Sequence, residues 1–432
     1  MRESRTGQHA FNSQQDQKVN MVKPLFFAVS LLVAAQSTVS AEEFSTDVAI
    51  NIGDVQRINT PVRLLVEMPE KFVGKQGGII IGDRFLPAQI SKPGLVSTRN
   101  FDTQGKLEVT LLLANIPAGR SSGGKLLVND EVDAPAKLEF RDEAGKYTDI
   151  SIEGRNVLRY MYEALDNSTK ERRMETYKVY HHLYDPTGSK FVTKGAGGLF
   201  PHHRGLFFGF NRISYGDGKT ADIWHCNNGE SQAHAKVISE DSGPLFGRHT
   251  LQIEWKGKDG AVFAVETREM TAYNAKGGVM VEFATKLESK VGKIKLDGDP
   301  QHAGFQFRGS QHIPDKTKDQ TYYVRPDGKG EPGKFRNWPN DKDHVNLAWH
   351  AQSFVIDETR YTCCYLDRPD NPKEARFSER DYGRFGSYFE YTVSESNPLY
   401  LNYRIWLQEG EMTVEQVERY SKDFVSPPEV TQ

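Results

Sequence analysis

The sequence predicts an all-β protein: two large stacked antiparallel sheets, preceded by a small β-sandwich and closed by one C-terminal helix. Three observations carry this. Short runs of alternating apolar and polar residues recur from residue 44 almost to the end of the chain. Gly, Pro, Asn and Asp punctuate those runs at turn spacing, and a helical period with proper end signals occurs convincingly near the C-terminus alone.

Taken in order, residues 1–41 read as a signal peptide. Lys23 precedes the apolar run 25–35, and Val39-Ser40-Ala41 offers small residues for cleavage before Glu42, with Met21 as an alternative start. The protein is therefore expected to be exported, periplasmic or extracellular. No lipobox cysteine follows the leader, and no later apolar stretch reaches the roughly 20 residues of a membrane helix, so no membrane insertion is expected. The remaining length, about 390 residues, suggests two domains.

Residues 42–145 read as a small accessory sandwich, with strands expected at 62–66, 78–81 and 106–113. The segment holds no histidine and no cysteine, which makes it a poor place for chemistry. Residues 146–428 carry the larger sandwich. Strands are expected at 249–255, 262–267, 279–285 and 400–406, joined by glycine turns at 258–260 and 276–278. Residues 314–344, rich in Lys, Asp, Gly and Pro, lack strand character and read as a lid or surface insertion. Thr413 with Gln416 forms a capping box, after which Val414, Val417, Tyr420 and Phe424 recur at helical spacing until Pro427.

Composition excludes several classes. With 55 Lys and Arg against 58 Asp and Glu, the net charge of −3 gives no footprint for nucleic acid. Three cysteines cannot build a disulfide framework, and Cys363 and Cys364, adjacent on one strand, read as buried apolar residues. Phosphate loops, dinucleotide fingerprints and nucleophilic triads are absent from the sequence.

Polar residues of chemical interest gather in four clusters. The first is HHRGLFFGF, in which His202, His203 and Arg204 stand between a Gly/Pro loop and an aromatic strand. Imidazole moves protons near neutral pH, and guanidinium holds oxyanions. The second is DIWH, with Asp222, Trp224 and His225. The third is GDPQHAGFQFR, where alternation puts His302, Gly304, Gln306 and Arg308 on one face and Ala303, Phe305 and Phe307 on the other. The fourth is ERDYGRFG, which contributes Arg384 and is followed by Arg404 on the last long strand.

Proton transfer is assigned to His202, His203, His225 and His302, with Asp222 and Asp299 orienting them. Arg204, Trp224, Gln306, Arg308, Arg384 and Arg404 are assigned to substrate, and Trp338 is a further aromatic candidate. A divalent metal on the same four histidines is the less favoured reading. Neighbours on a regular strand diverge, so His202 and His203 can share an ion only if Pro201 and Gly205 bend the chain.

These four clusters, in this order, resemble a family of exported bacterial proteins labelled methane oxygenase PmoA, over Ile152 to Leu407. The label names a membrane subunit, which does not suit this chain, so methane oxidation is set aside. The resemblance implies a galactose-mutarotase-like supersandwich linked to sugar degradation, with no settled activity or cofactor. Where relatives carry an acidic residue or histidine before HHRG, this chain has Leu199-Phe200-Pro201.

The expected function is a carbohydrate-active hydrolase, lyase or epimerase-like enzyme acting on a sugar or other small-molecule substrate. The alternative is a non-catalytic glycan-binding protein of the cell envelope. A purely structural envelope protein would instead leave the four histidines scattered.

Overall fold

A computed structural model describes residues 43–432 other than Arg120. The leader and the alternative start at Met21 lie outside the described residues. Within them the fold is all-β, built from four antiparallel sheets with a C-terminal helix.

Two large sheets stack face to face. One has nine strands, ordered Ser231–Asp241, Phe246–Lys256, Val262–Tyr273, Val279–Ser289, Leu399–Glu409, Thr359–Asp367, Trp349–Ile356, Tyr322–Arg325 and Gly328–Lys329. The other has eight, ordered Arg376–Arg380, Arg384–Tyr388, Ala303–Arg308, Leu206–Phe210, Tyr180–Leu183, Arg155–Met161, Tyr147–Ile152 and Leu138–Glu143. Strand alternation sends one row of side chains from each sheet inward. Phe283 of the first stacks on Phe305 of the second at 4.3 Å between ring centroids, and Trp255 meets Phe208 at 5.5 Å. Burying each such ring is worth about 1.5–3 kcal/mol, and this aromatic layer fixes how the eight-stranded sheet presents its other face. A four-stranded sheet that includes Arg212–Tyr215 and Ile294–Asp297 completes the larger body.

Residues 43–133 contribute six strands around a core of their own, and the final strand Glu429–Thr431, beside Glu43–Asn51, makes the sheet seven-stranded. Charged groups weld this sheet to the sandwich. Arg57 pairs with Asp423 at 3.0 Å, Arg248 with Glu108 at 2.8 Å and Arg63 with Glu282 at 3.3 Å, with one member of each pair on either side.

The C-terminal helix spans Val414–Val425, and both capping-box bonds are present: Gln416 N–H donates to Thr413 Oγ1, and Thr413 N–H to Gln416 Oε1. Cys363 and Cys364 are fully buried and face different cores, as strand alternation requires. Two short helices, Leu95–Asn100 and Lys170–Thr176, were not expected. They are too brief to show a period, although Thr169 caps the second through a bond from Arg172 N–H.

The segment 314–344 differs from its expectation. Tyr322–Arg325 is a buried strand of the nine-stranded sheet, paired with Trp349–Ile356 and with the short strand Gly328–Lys329, and helical turns at Ile313–Thr317 and Lys318–Gln320 precede it. Lysine and glycine on both sides masked four residues of strand, too few to register an alternation against that background.

Candidate functional site

The site lies on the eight-stranded sheet, over the pair Leu206–Phe210 and Ala303–Arg308. Their register sets Leu206 against Phe307 and Phe210 against Ala303, so the chain entering one strand and the chain entering the other sit about 14 Å apart by strand rise. His203 and His302 nevertheless lie with ring centroids 5.1 Å apart. The loop before Leu206 therefore folds back over the sheet.

Gly205 makes this fold possible. Its φ is +39° and a Cβ there would stand 2.0 Å from the His181 carbonyl oxygen. Phe200, at φ +53°, closes the preceding turn, in which His203 N–H donates to the Phe200 carbonyl at 3.0 Å. The segment is a turn and not a strand, so the adjacent histidines do not diverge. Their rings are 4.4 Å apart.

All four candidate histidines meet. His225 lies 4.4 Å from His202 and 4.6 Å from His302, and His202 lies 5.3 Å from His302. Two are held by carboxylates in the same D-x-x-H arrangement. Asp222 Oδ2 is 2.8 Å from His225 Nδ1, while its Oδ1 accepts from Trp224 N–H and His225 N–H. Asp299 Oδ1 is 2.9 Å from His302 Nδ1 and accepts from Gln301 N–H, and Asn211 donates to Oδ2 at 2.7 Å. Each carboxylate fixes its imidazole with Nε2 left for other partners.

Burial and charge tune the cluster. Desolvation, reinforced by Lys178, His225 and His302, pushes His202 down to about 2. Burial and the Arg384 guanidinium put His203 well below the ordinary histidine range. Burial works to raise the Asp299 carboxyl, but its hydrogen bond and charge contact with His302 outweigh that and hold it well below its usual range. His202 and His203 are consequently neutral imidazoles at pH 7. Nε2 of His202 and Nδ1 of His203 are buried without a hydrogen-bond partner.

Sequence reading passed over Lys178. Its ammonium, 3 % exposed, donates to the carbonyls of His202 and Trp224 and so ties the two histidine loops together. Burial, with Arg204 next, drives its pKa well below that of an ordinary lysine. The one available signal was a lysine inside the aromatic run Tyr177 to Tyr180. Lys194 plays a similar part on the other side, reaching the carbonyls of Gly195, Phe200 and His203. Burial and the charges of Arg308 and Arg204 bring it to about 7.

Several residues assigned to substrate are placed otherwise. Arg404 is remote from the cluster: it pairs with Glu282 at 2.8 Å in the buried charge layer against the N-terminal sheet. Arg204 is 1 % exposed, its guanidinium bound to the carbonyls of Pro201, Glu175 and Met174. Trp224 is buried as a wall behind His203 and Phe207 and offers no face to a sugar. Gln306 donates to the Ala303 carbonyl and accepts from Arg384, beneath the surface. The face carrying Gln306 and Arg308 is thus covered and not open, because the polar side chains satisfy loop carbonyls folded over it. Arg308 and Arg384 stay in this floor, with Nε and Nη2 of Arg308 and Nε of Arg384 lacking partners. Trp338 packs under Arg376, whose guanidinium carbon is 4.3 Å from the ring centroid.

Aromatic surface beside the histidines comes instead from Phe200, 40 % exposed, and half-buried Tyr382, their rings 5.0 Å apart. A cleft of roughly 470 Å³ flanks the loop that carries His202 and His203; His182, Phe191, Lys194 and Gln311 contribute to its walls.

The model of a family described as a family of unknown function (DUF6807) matches residues 147–422. The chain belongs to this family. All four polar clusters fall inside the matched span, and the family's description supplies no activity, so the methane-oxygenase label gains nothing from it. No curated protein matches the chain. Among solved structures, this DUF6807 protein is similar to a protein in glycosyl hydrolase family 38 from Enterococcus faecalis, at 10 % identity and a TM-score of 0.41, covering 90 % of this chain and 47 % of that one. It is also similar to an alpha-mannosidase from Enterococcus faecalis V583, at 8 % identity and a TM-score of 0.39, covering 90 % and 46 %. The chain thus spans about half the length of these structures. No helix among the described residues is long and apolar enough to cross a membrane.

Proposed function

We propose that this DUF6807 protein is an exported carbohydrate-active enzyme that transfers protons at a sugar carbon or glycosidic bond. The observation that carries the reading is the meeting of four histidines in one place, two of them backed by carboxylates. His225 and His302 take the proton-transfer role, since a carboxylate at Nδ1 orients the ring and stabilises the imidazolium that forms. Neutral His202 and His203 form the floor beneath these two rings. Phe200 and Tyr382 offer apolar faces to a pyranose ring. Export rests on the leader pattern at residues 21–41.

The test is an activity screen over glycans and modified sugars, with His302→Ala alongside. Turnover by the wild type that disappears in the variant is expected. Saturable glycan binding with no turnover would replace this reading by a non-catalytic glycan-binding protein, and the absence of both would overturn it.

A further inference from the structure

Two groups of side chains among the described residues bring three metal-type donors within reach of one another. In His344, His350 and Glu379 the donors are sealed in the core, and the carboxylate is engaged: Arg325 pairs with both Glu379 oxygens, at 2.9 and 2.5 Å, and Arg336 N–H adds a third bond at 3.0 Å. Nε2 of His344 and both ring nitrogens of His350 are buried without a hydrogen-bond partner, but the Arg325 guanidinium already neutralises the one carboxylate that group offers. The other is His202, His203 and His302, each offering a ring nitrogen within 4.8 Å of the other two.

We propose that His202, His203 and His302 bind one divalent transition-metal ion, with His225 at its edge. The inference rests on the same pocket as the proposed function and reassigns roles within it: with Nδ1 of His302 on Asp299 and its Nε2 on the ion, proton transfer falls to His225. Four observations carry it. The backbone turn at residues 200–205 removes the geometric objection to adjacent histidines sharing an ion. His203 is 2 % exposed and its Nδ1 has no partner, nor has the buried Nε2 of His202; a buried polar atom left unmatched costs about 1–3 kcal/mol unless something fills it. Asp299 holds His302 by Nδ1, the outer contact that metal-bound histidines ordinarily make, and itself receives Asn211 Nδ2. The lysine behind the cluster directs its donors at the carbonyls of His202 and Trp224, away from the rings.

The donor set selects the ion. Three imidazoles, with no thiolate and no carboxylate among them, suit zinc and its first-row neighbours and not calcium or magnesium, which take oxygen. Bonds of about 2.0–2.1 Å in a tetrahedral site require the three nitrogens to close in on one another by side-chain rotation. Three protein ligands leave a position open, where an ion would polarise a sugar oxygen or acidify a bound water.

The experiment uses tag-free protein stripped with a chelator and then titrated with cobalt(II) and with zinc(II), followed by visible absorption and by metal analysis after desalting. About one equivalent per chain is expected, with the visible bands of a low-coordinate cobalt site. His203→Ala and His302→Gln should each weaken binding at least 10-fold, while His312→Ala, remote from the pocket, should leave it unchanged. Absence of bound metal in the folded wild type, or equal binding by the wild type and His302→Gln, would overturn the inference. Circular dichroism of each variant separates lost ligands from lost fold. Because binding is read without turnover, sugar turnover by a protein that takes up no metal removes the metal and keeps the proposed function, whereas metal bound without turnover on any sugar does the reverse.

Discussion

At the scale of single residues, the site depends on groups that do not touch substrate. Asp299 is a positioning residue, acting through His302. Asp299→Asn should keep the fold and cost roughly 10- to 100-fold in turnover, with the pH profile of kcat/KM displaced, a change that a merely structural role would not produce. Lys178 is different in kind. Replacing it by Met leaves the carbonyls of His202 and Trp224 buried without a donor. The expected loss is about 1–3 kcal/mol, measurable by urea unfolding, together with loosening of both histidine loops. Residues of this sort escape sequence reading because their partners are backbone carbonyls, and nothing in the local sequence marks those.

At the scale of elements, two turns of chain separate what was legible from what was not. The C-terminal helix could be read because its capping box is local: Thr413 and Gln416 are three residues apart and satisfy each other. Thr413→Ala should cost about 1 kcal/mol by chemical denaturation. The loop over the site was legible only in part. Its histidines, glycines and proline announce a bend, but the bend's direction depends on how close Gly205 comes to the His181 carbonyl, a strand away. Gly205→Ala should displace the loop, lower stability and abolish turnover together, and a crystal structure of the variant should show His202 and His203 moved apart from His302. Arginines misled for the complementary reason. A guanidinium at a strand edge looks like a ligand for substrate, yet Arg204 satisfies a carbonyl of its own loop and two of the helix Lys170–Thr176, and Arg404 closes an interface with a sheet some 350 residues earlier in the chain.

For the whole molecule, alternation sufficed to predict the sheets, since Phe283, Phe305 and Trp255 must all face one interior, whereas the order of strands within each sheet is set by long-range pairing that no local pattern records. The same burial makes the fold sensitive to acid. His181, His182, His249 and His350 lie outside the four-histidine cluster; burial pushes His181 well below the ordinary range, His182 to about 3, and His249 and His350 to about 4. Because the folded values lie under the unfolded one, the unfolded chain takes up protons that the folded chain refuses. Stability is therefore full above about pH 6.5 and is lost as pH falls towards 4, by about 2 kcal/mol per histidine at pH 5. Thermal unfolding midpoints should stay level from pH 8 to 7 and drop steeply below 6. A flat profile down to pH 5 would mean that these rings are protonated in the folded protein.

The pairing of Glu429–Thr431 with Glu43–Asn51 also orders events during synthesis. The strand that leads the seven-stranded sheet has one neighbour as soon as Ser121–Asp133 emerges, but its other side waits for residues 429–431, some 300 positions further on. Until then it presents an unpaired rim to every other nascent or unfolded chain nearby, the geometry from which strand exchange and aggregation start. A ribosome-bound or prematurely terminated chain therefore carries a longer open margin than the folded molecule, in which Glu429–Thr431 covers the stretch Ala49–Asn51.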